Sequence, residues 1–407
     1  MNKAKEPSGT ATPETGERRP LPRGWRWVKL GDVDVCKLNP RRPANLNRSE
    51  DAPTTFVPMP AVDEKLGIIA RPEIRPYGEV KKGYTCFAEG DVLFAKITPC
   101  MQNGKHAVAK NLIDGIGFGS TEFHVIRPGS SIVSEWIHMY VRQPHILEAA
   151  TAHFTGAVGQ QRVPDGFLTS LELPLPPLAE QKRIASILAG EMEAVEKARA
   201  AAEAQLDAAR ALPAAYLRSV FESPEAKKWP TKRFGDIVDN FDGKRIPVKL
   251  SDRRKGPYPY YGASGIIDHV DGYLFDGEYL LIGEDGANLV LRSSPIAFKA
   301  SGKFWVNNHA HIVQPKDDMP MDYLLHFFAV TDLKPYVTGA AQPKLTQDDM
   351  NSIQVPIPPK LSLAGLVQDM NEKTIRATGT VATIEEELAA INALPAALLR
   401  RAFQGEL

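Results

Sequence analysis

Apolar and polar positions alternate along EFHVIRP at 122–128 and again along HAHIVQP at 309–315, and each run stops at a proline. Such a period of two ended by a proline predicts half-buried strands. GDVLFAKI at 90–97 and GEYLLIGEDG at 277–286 are short apolar runs bounded by Gly and Asp, which predicts further strands. Helical spacing replaces alternation over 134–150 and 321–333. The pattern predicts two modules of α+β class, each with a curved or partly open sheet.

A longer period follows each module. Alternating steps of four and three from Leu363 meet Val367, Met370, Thr374, Ala377, Val381, Ile384, Leu388, Ile391, Pro395, Leu398 and Ala402, a heptad seam. The earlier copy of this seam, from Gln181 through Leu188, Val195, Ala202, Leu206 and Ala209 to Val220, is richer in alanine but stays in phase. Two matching seams in one chain predict two long helices that pair, with small residues allowing close approach. Pro213 and Pro395 interrupt the pattern and predict a kink or a fresh helix start. Up to Leu212 the first helix is expected to run 35 residues from Leu178, or about 52 Å.

These periods belong to one unit written twice. ALPAAYLRSVF at 211–221 matches ALPAALLRRAF at 393–403 at an offset of 182 residues, as do the prolines of LPLPP and VPIPP. STEFHVIRP at 120–128 matches NNHAHIVQP at 307–315 at an offset of 187. FTGA at 154–157 pairs with VTGA at 337–340, and WVKLGDV at 27–33 is similar to TKRFGDIV at 231–238. The proline phrases cannot continue a helix or donate to a central ladder, so they predict stiff, extended joints between module and helix.

Composition narrows the class. The 407 residues carry 49 basic and 49 acidic side chains, 43% hydrophobic and 24% charged, as ordinary globular chains do. Residues 1–20 mix charge with Pro, Ser, Thr and Gly, which predicts a disordered tail rather than a signal peptide. No apolar run suits a membrane span, and the cytoplasm is the expected compartment. Cys36, Cys86 and Cys100 have neither disulfide-framework nor zinc spacing. Charge is uneven: residues 232–260 hold eight Lys or Arg against four Asp.

Enzyme motifs are missing from the sequence. It has no GxxxxGK[ST], no GxGxxG after a strand and no Asn/Asp-Pro-Pro-aromatic. GEDGANL at 283–289 lacks the lysine of a phosphate loop and predicts a tight hairpin. His309 and His311 share a strand face, but a polar strand edge accounts for them better than a metal site. No catalytic residue, cofactor or metal is therefore assigned to this chain. A module repeated on stiff helices suits recognition: a two-headed reader of duplex half-sites roughly 34 Å apart per turn.

LPRGWRWVKLGDV at the first module's start, LPLPPLAEQKRIASIL at the first joint and LLRRAFQGEL at the C-terminus resemble the specificity subunits of type I restriction-modification systems. The resemblance implies two target recognition domains with twisted sheets, separated by two long antiparallel coiled-coil helices in a pseudo-two-fold internal repeat. Its expected bounds are a tail over 1–20, recognition domains over 21–176 and 223–358, and spacer helices over 177–222 and 359–407. Each domain would read half of a bipartite, asymmetric site on double-stranded DNA. Two methyltransferase subunits, using S-adenosylmethionine on adenine, would dock on this chain, and motor-nuclease subunits using ATP and Mg would join. The second joint departs from the pattern, reading PPKLSLAGL without the Glu-Gln pair, which predicts a different cap or less symmetric docking.

With that resemblance, the polar loops become candidate DNA contacts. In the first module these are Lys96, Gln102, Asn103, Lys105 and His106 in KITPCMQNGKH, with Gln160, Gln161 and Arg162 before the joint. In the second they are Lys244, Arg245, Lys249, Tyr258 and Tyr260, with Gln342 and Lys344. Cations neutralise phosphates, amides pair with adenine and Arg with guanine. A two-headed protein-interaction scaffold without DNA readout is the alternative reading, and a hydrolase with an unrecognised site ranks below both.

Overall fold

In the computed structural model the described residues are 20–43, 46–157, 159–339 and 342–407, so the expected tail lies outside them apart from Pro20. The described residues form two compact units: those up to Arg199 together with Ala389–Leu407, and Ala200–Leu388.

In the first unit the two predicted strands, now Val92–Ala95 and Phe123–Pro128, lie in an antiparallel sheet ordered Cys36–Leu38, Phe123–Pro128, Val92–Ala95, His106–Val108, whose outer two strands were not predicted. A second four-stranded sheet joins Glu73–Pro76, Pro53–Val57, Ile116–Gly119 and Thr85–Ala88, with one parallel pair between Pro53–Val57 and Ile116–Gly119. The helix expected over 134–150 is two, Ser134–Val141 and Pro144–Ala152. Pro144 explains the break, because its fixed φ suits a first helical turn and disfavours helix at the residue before it. Phe94, Ile126, Trp136 and Ile137 form the core with Ile184 and Leu188 from the start of one long helix and Leu399, Ala402 and Phe403 from the end of the other.

The second unit has one six-stranded sheet, ordered Val238–Asn240, Ala310–Pro315, Phe275–Gly283, Ala297–Val306, Lys255–Gly262, Gly265–Val270. Register shifts between Lys255 and Tyr258 and between Tyr260 and Tyr261 bend the strand that carries the tyrosines. Phe275–Gly283 and Ala297–Val306 pair antiparallel, but the turn between them is not the expected tight hairpin. A helical turn, Asn288–Leu291, occupies it and buries Leu289 in the core. Tyr323, Phe327 and Phe328 of helix Met321–Val330 pack on Leu280, Ile282 and Val313. Leu217, Leu363, Val367 and Met370 of the long helices close this core.

The proline phrases are themselves strands. Glu172–Leu175 pairs antiparallel with Arg26–Lys29, and Gln354–Pro356 with Thr231–Arg233. Each ladder has only two strands, so a proline lacking its N–H is tolerated. Leu178–Phe221 and Lys360–Gln404 are helices of 44 and 45 residues that run on through Pro213 and Pro395. The first therefore extends beyond Leu212, to about 66 Å at 1.5 Å per residue. Within each unit the beginning of one helix meets the end of the other, so the local pairing is antiparallel. In the second unit Arg210 reaches Glu385 at 2.7 Å and Tyr216 hydrogen-bonds Asp369. Val195, Ala202, Leu206 and Ala209 of the expected seam are buried.

Candidate nucleic-acid interface

Three segments of the first unit meet where Val92–Ala95 ends. The Lys96 amide donates to the Glu122 carbonyl at 2.9 Å, and the Val163 amide donates to the Lys96 carbonyl at 2.9 Å. The Thr98 amide donates to Gln161 at 3.0 Å, and Ile97 forms an antiparallel bridge with Arg162. Backbone pairing thus gathers Lys96, Gln160, Gln161 and Arg162, which are far apart in sequence. Arg162 donates to both Glu122 oxygens at 2.8 Å and holds that carboxyl below the ordinary glutamate range, first through these hydrogen bonds. Thr98 donates from Oγ1 to Gln102 Oε1 at 2.7 Å, which orients that amide, and Gln102, Asn103 and Gln160 are exposed.

Beneath the junction lies His124. Its Nε2 faces the Val163 carbonyl at 2.8 Å, while Asn39 Nδ2 approaches Nδ1 at 3.1 Å. With a donor on one side and an acceptor on the other, the ring is neutral with its proton on Nε2. Burial lowers its pKa accordingly.

Two predicted contacts in this unit are corrected. His106 is fully buried, stacked on Phe94 with ring centroids 4.1 Å apart, and its Nδ1 accepts from the Ala95 amide at 3.1 Å. It begins strand His106–Val108 instead of lying in a polar loop. Lys105 is partly buried and turns inward, donating to the Val62 carbonyl at 2.9 Å with Glu64 3.7 Å away.

The second unit repeats this skeleton. The Glu284 amide donates to the His309 carbonyl at 2.9 Å, Leu345 to Glu284 at 2.8 Å and Gly286 to Pro343 at 2.9 Å. Asp285 bridges Lys344 as Ile97 bridges Arg162. His311 stands where His124 does, with Nε2 2.8 Å from the Leu345 carbonyl. The partner of its Nδ1 has changed from an amide to a carboxylate, Asp242 Oδ2 at 2.5 Å. The other oxygen of Asp242 accepts from the Ile312 amide at 2.9 Å, as Asn39 accepts from Val125 at 3.0 Å.

Around His311 the side chains form a charged cluster. Arg245 lies 2.6 Å from Glu284 and 3.4 Å from Asp242, and Lys344 lies 3.2 Å from Glu284. Burial pushes the Asp242 carboxyl up, but the hydrogen bond and charge of His311, the Ile312 amide and Arg245 outweigh it and leave the pKa lowered. Asp242, Glu284 and His311 have ligand atoms within 4.8 Å of one another, a spacing that a metal ion also requires. Here Arg245 and Lys344 already neutralise the two carboxylates, so an ion would have to displace them. The cluster reads as structural.

Arg245 is accordingly corrected: its guanidinium braces the interior. Tyr260 is also corrected, being fully buried, with its OH accepting from the Val248 amide at 3.0 Å and Arg253 4.3 Å above its ring. Lys244, Lys249, Gln342 and Lys344 are exposed. Tyr258 is half-buried against Tyr273, 5.1 Å between ring centroids, and Lys303 lies 4.7 Å over Tyr273. Sequence reasoning passed over Glu122 and Asp285, and weighed His309 only as a metal ligand. The alignment of 120–128 with 307–315 places Glu122 and His309 at one position and carried that signal.

Two sheet-bearing units, each built on paired helix segments and each repeating one polar junction, define an internally duplicated recognition protein. The chain belongs to the family described as the type I restriction modification DNA specificity domain, whose model matches residues 22–200 and 226–363. It is similar to the type I restriction enzyme EcoEI specificity subunit of Escherichia coli, 36% identical over 209 residues, covering 51% of this chain and 34% of that protein. The EcoAI specificity subunit of the same species is 40% identical over 165 residues, covering 40% of this chain and 27% of that one. The matched stretches thus span about a third or less of those relatives, at 34% and 27%. A chain solved in work on complex assembly and conformational transition of the type I R-M system shares the fold at a TM-score of 0.77 and 22% identity, covering 96% of this chain and all of that one, 100%. The HsdS subunit from Thermoanaerobacter tengcongensis does so at 0.68 and 23%, covering 97% of this chain and 100% of the other. Among the described residues no helix is long and apolar enough to cross a membrane.

Proposed function

We propose that this chain is the DNA sequence-specificity subunit of a type I restriction-modification complex. One observation carries the reading: the same backbone junction, Ile97 with Arg162 and Asp285 with Lys344, is built twice and dressed with different side chains. A duplicated frame with divergent polar groups is what reading two unlike half-sites requires. Lys96, Gln102, Asn103, Gln160, Gln161 and Arg162 address one half of a bipartite site on double-stranded DNA. Gln342 and Lys344, with Lys244, Lys249 and Tyr258, address the other. Cations hold phosphates and amides approach base edges.

The long helices set the spacing and dock two methyltransferase subunits, which bring S-adenosylmethionine to a flipped adenine. Motor-nuclease subunits supply ATP-dependent cleavage with Mg, so the chemistry lies outside this chain and the complex works in the cytoplasm. The test is exchange of residues 21–176 for the corresponding domain of another specificity subunit. A new first half-site with the second half unchanged supports the reading. A complex whose target is indifferent to the exchange supports the two-headed protein scaffold instead.

A further inference from the structure

In the second unit the exposed imidazole of His309 is held from below. Asp285 Oδ2 lies 2.8 Å from His309 Nδ1, with the His309 side chain 47% exposed and the Asp285 side chain 18%. The backbone is pinned as well, because the His309 amide donates to Asn307 Oδ1 at 2.8 Å and its carbonyl accepts from Glu284. Asn307 is itself buried, and the Asp285 backbone is fixed by its bridge to Lys344. In the neutral ring the carboxylate accepts the proton on Nδ1, so Nε2 offers a lone pair. In the first unit the same position carries Glu122, whose carboxylate is occupied by Arg162, so the exposed group there is a guanidinium. One frame therefore presents a fixed acceptor in one unit and a fixed donor in the other.

We propose that His309, positioned by Asp285, is a specificity-determining residue of the second domain, accepting a hydrogen bond from the exocyclic amino group of an adenine or cytosine in the major groove. This rests on the DNA-reading function proposed above. A rigid side chain discriminates better than a mobile one, since the wrong base then leaves its polar atom unpaired. The nearby lysines, on flexible stems, hold phosphates without selecting bases.

The experiment uses the assembled complex with its methyltransferase subunits and duplexes carrying every single-base substitution across the recognised site, with competition binding as the readout. In His309→Ala, discrimination at one position of one half-site falls about tenfold, while every other position keeps its wild-type profile. His309→Gln retains an acceptor and a measurable preference at that position, and Asp285→Ala weakens the same position by releasing the ring. Should the alanine variant at 309 fail to assemble, Asp285→Ala, which leaves the imidazole in place, supplies the same readout. An unchanged profile overturns the proposal, as does a uniform loss at all positions, which marks a phosphate contact. If the wild-type complex itself shows no sequence preference, the DNA-reading function fails and not merely this residue's role.

Discussion

The indole N–H of Trp136 donates to the carbonyl oxygen of Pro174 at 2.9 Å, fastening a module's helix to the joint that leads into the first long helix. Tyr323 occupies the corresponding place in the second unit, and its hydroxyl donates to the Pro356 carbonyl. Unlike aromatics thus satisfy one carbonyl in both copies, and both side chains are fully buried. The joint needs this donor because the proline phrase lies against the core and its carbonyls have no other strand to meet.

Trp136→Phe and Tyr323→Phe keep most of the apolar volume and remove the donor. Each is expected to lower stability by about 1–3 kcal/mol, the cost of an unsatisfied buried carbonyl. Hydrogen exchange distinguishes them: protection falls in the unit that holds the substitution and stays at the wild-type level in the other.

Gln181 tests why the two joints differ. Its buried amide accepts from the Val133 N–H at 2.9 Å and donates to the carbonyls of Ser131 and Pro176 at 2.9 and 2.8 Å. The corresponding residue of the second copy, Leu363, is packed in the core. Gln181→Leu is expected to cost about 1–3 kcal/mol per stranded group, whereas Leu363→Met costs less than about 1.5 kcal/mol. Denaturant melts of the two variants check this.

Acid acts on the first unit through its histidines. Burial lowers the pKa of His138 to about 4, and that of His106 and His124 also falls below the ordinary 6.5. Folded, these rings stay neutral while the unfolded chain takes up protons, so stability falls as pH drops from 6.5 toward 4. Asp242 adds a second window: its lowered pKa stabilises the second unit above 3.8, and that contribution is lost as pH falls further. Thermal melts from pH 8 to pH 4 are expected to show the first loss, and His138→Gln to flatten it.

Arg162 and Arg245 test the proposed reading role against bracing. Arg162→Ala is expected to leave the melting temperature near the wild-type value, because its ion pair with Glu122 is partly exposed. Recognition of one half-site relaxes. Arg245→Ala leaves Asp242 and Glu284 without their buried cation and costs about 3–5 kcal/mol. Calorimetry beside binding to substituted duplexes distinguishes the two outcomes.

The repeat and its helices were legible because heptad spacing and proline phrases are local signals. Leu363, Val367 and Met370 lie buried along the seam that their spacing marks. His106 and Tyr260 were misread because their burial depends on partners from other segments: Phe94 packs on one, and Arg253 and Val248 close over the other. Arg245 stood in a run rich in cations, yet its counter-charge, Glu284, lies 39 residues away in sequence. The junctions themselves emerged only in three dimensions, where the strand end at Lys96 meets the segment at 160–163.

The most direct test is to express this chain with the methyltransferase subunit proposed as its partner in cells lacking other DNA methylation, and to map methylated adenines across the genome. A single split motif with a fixed gap is the predicted result. An intact complex with an active methyltransferase that leaves no such motif would contradict the account.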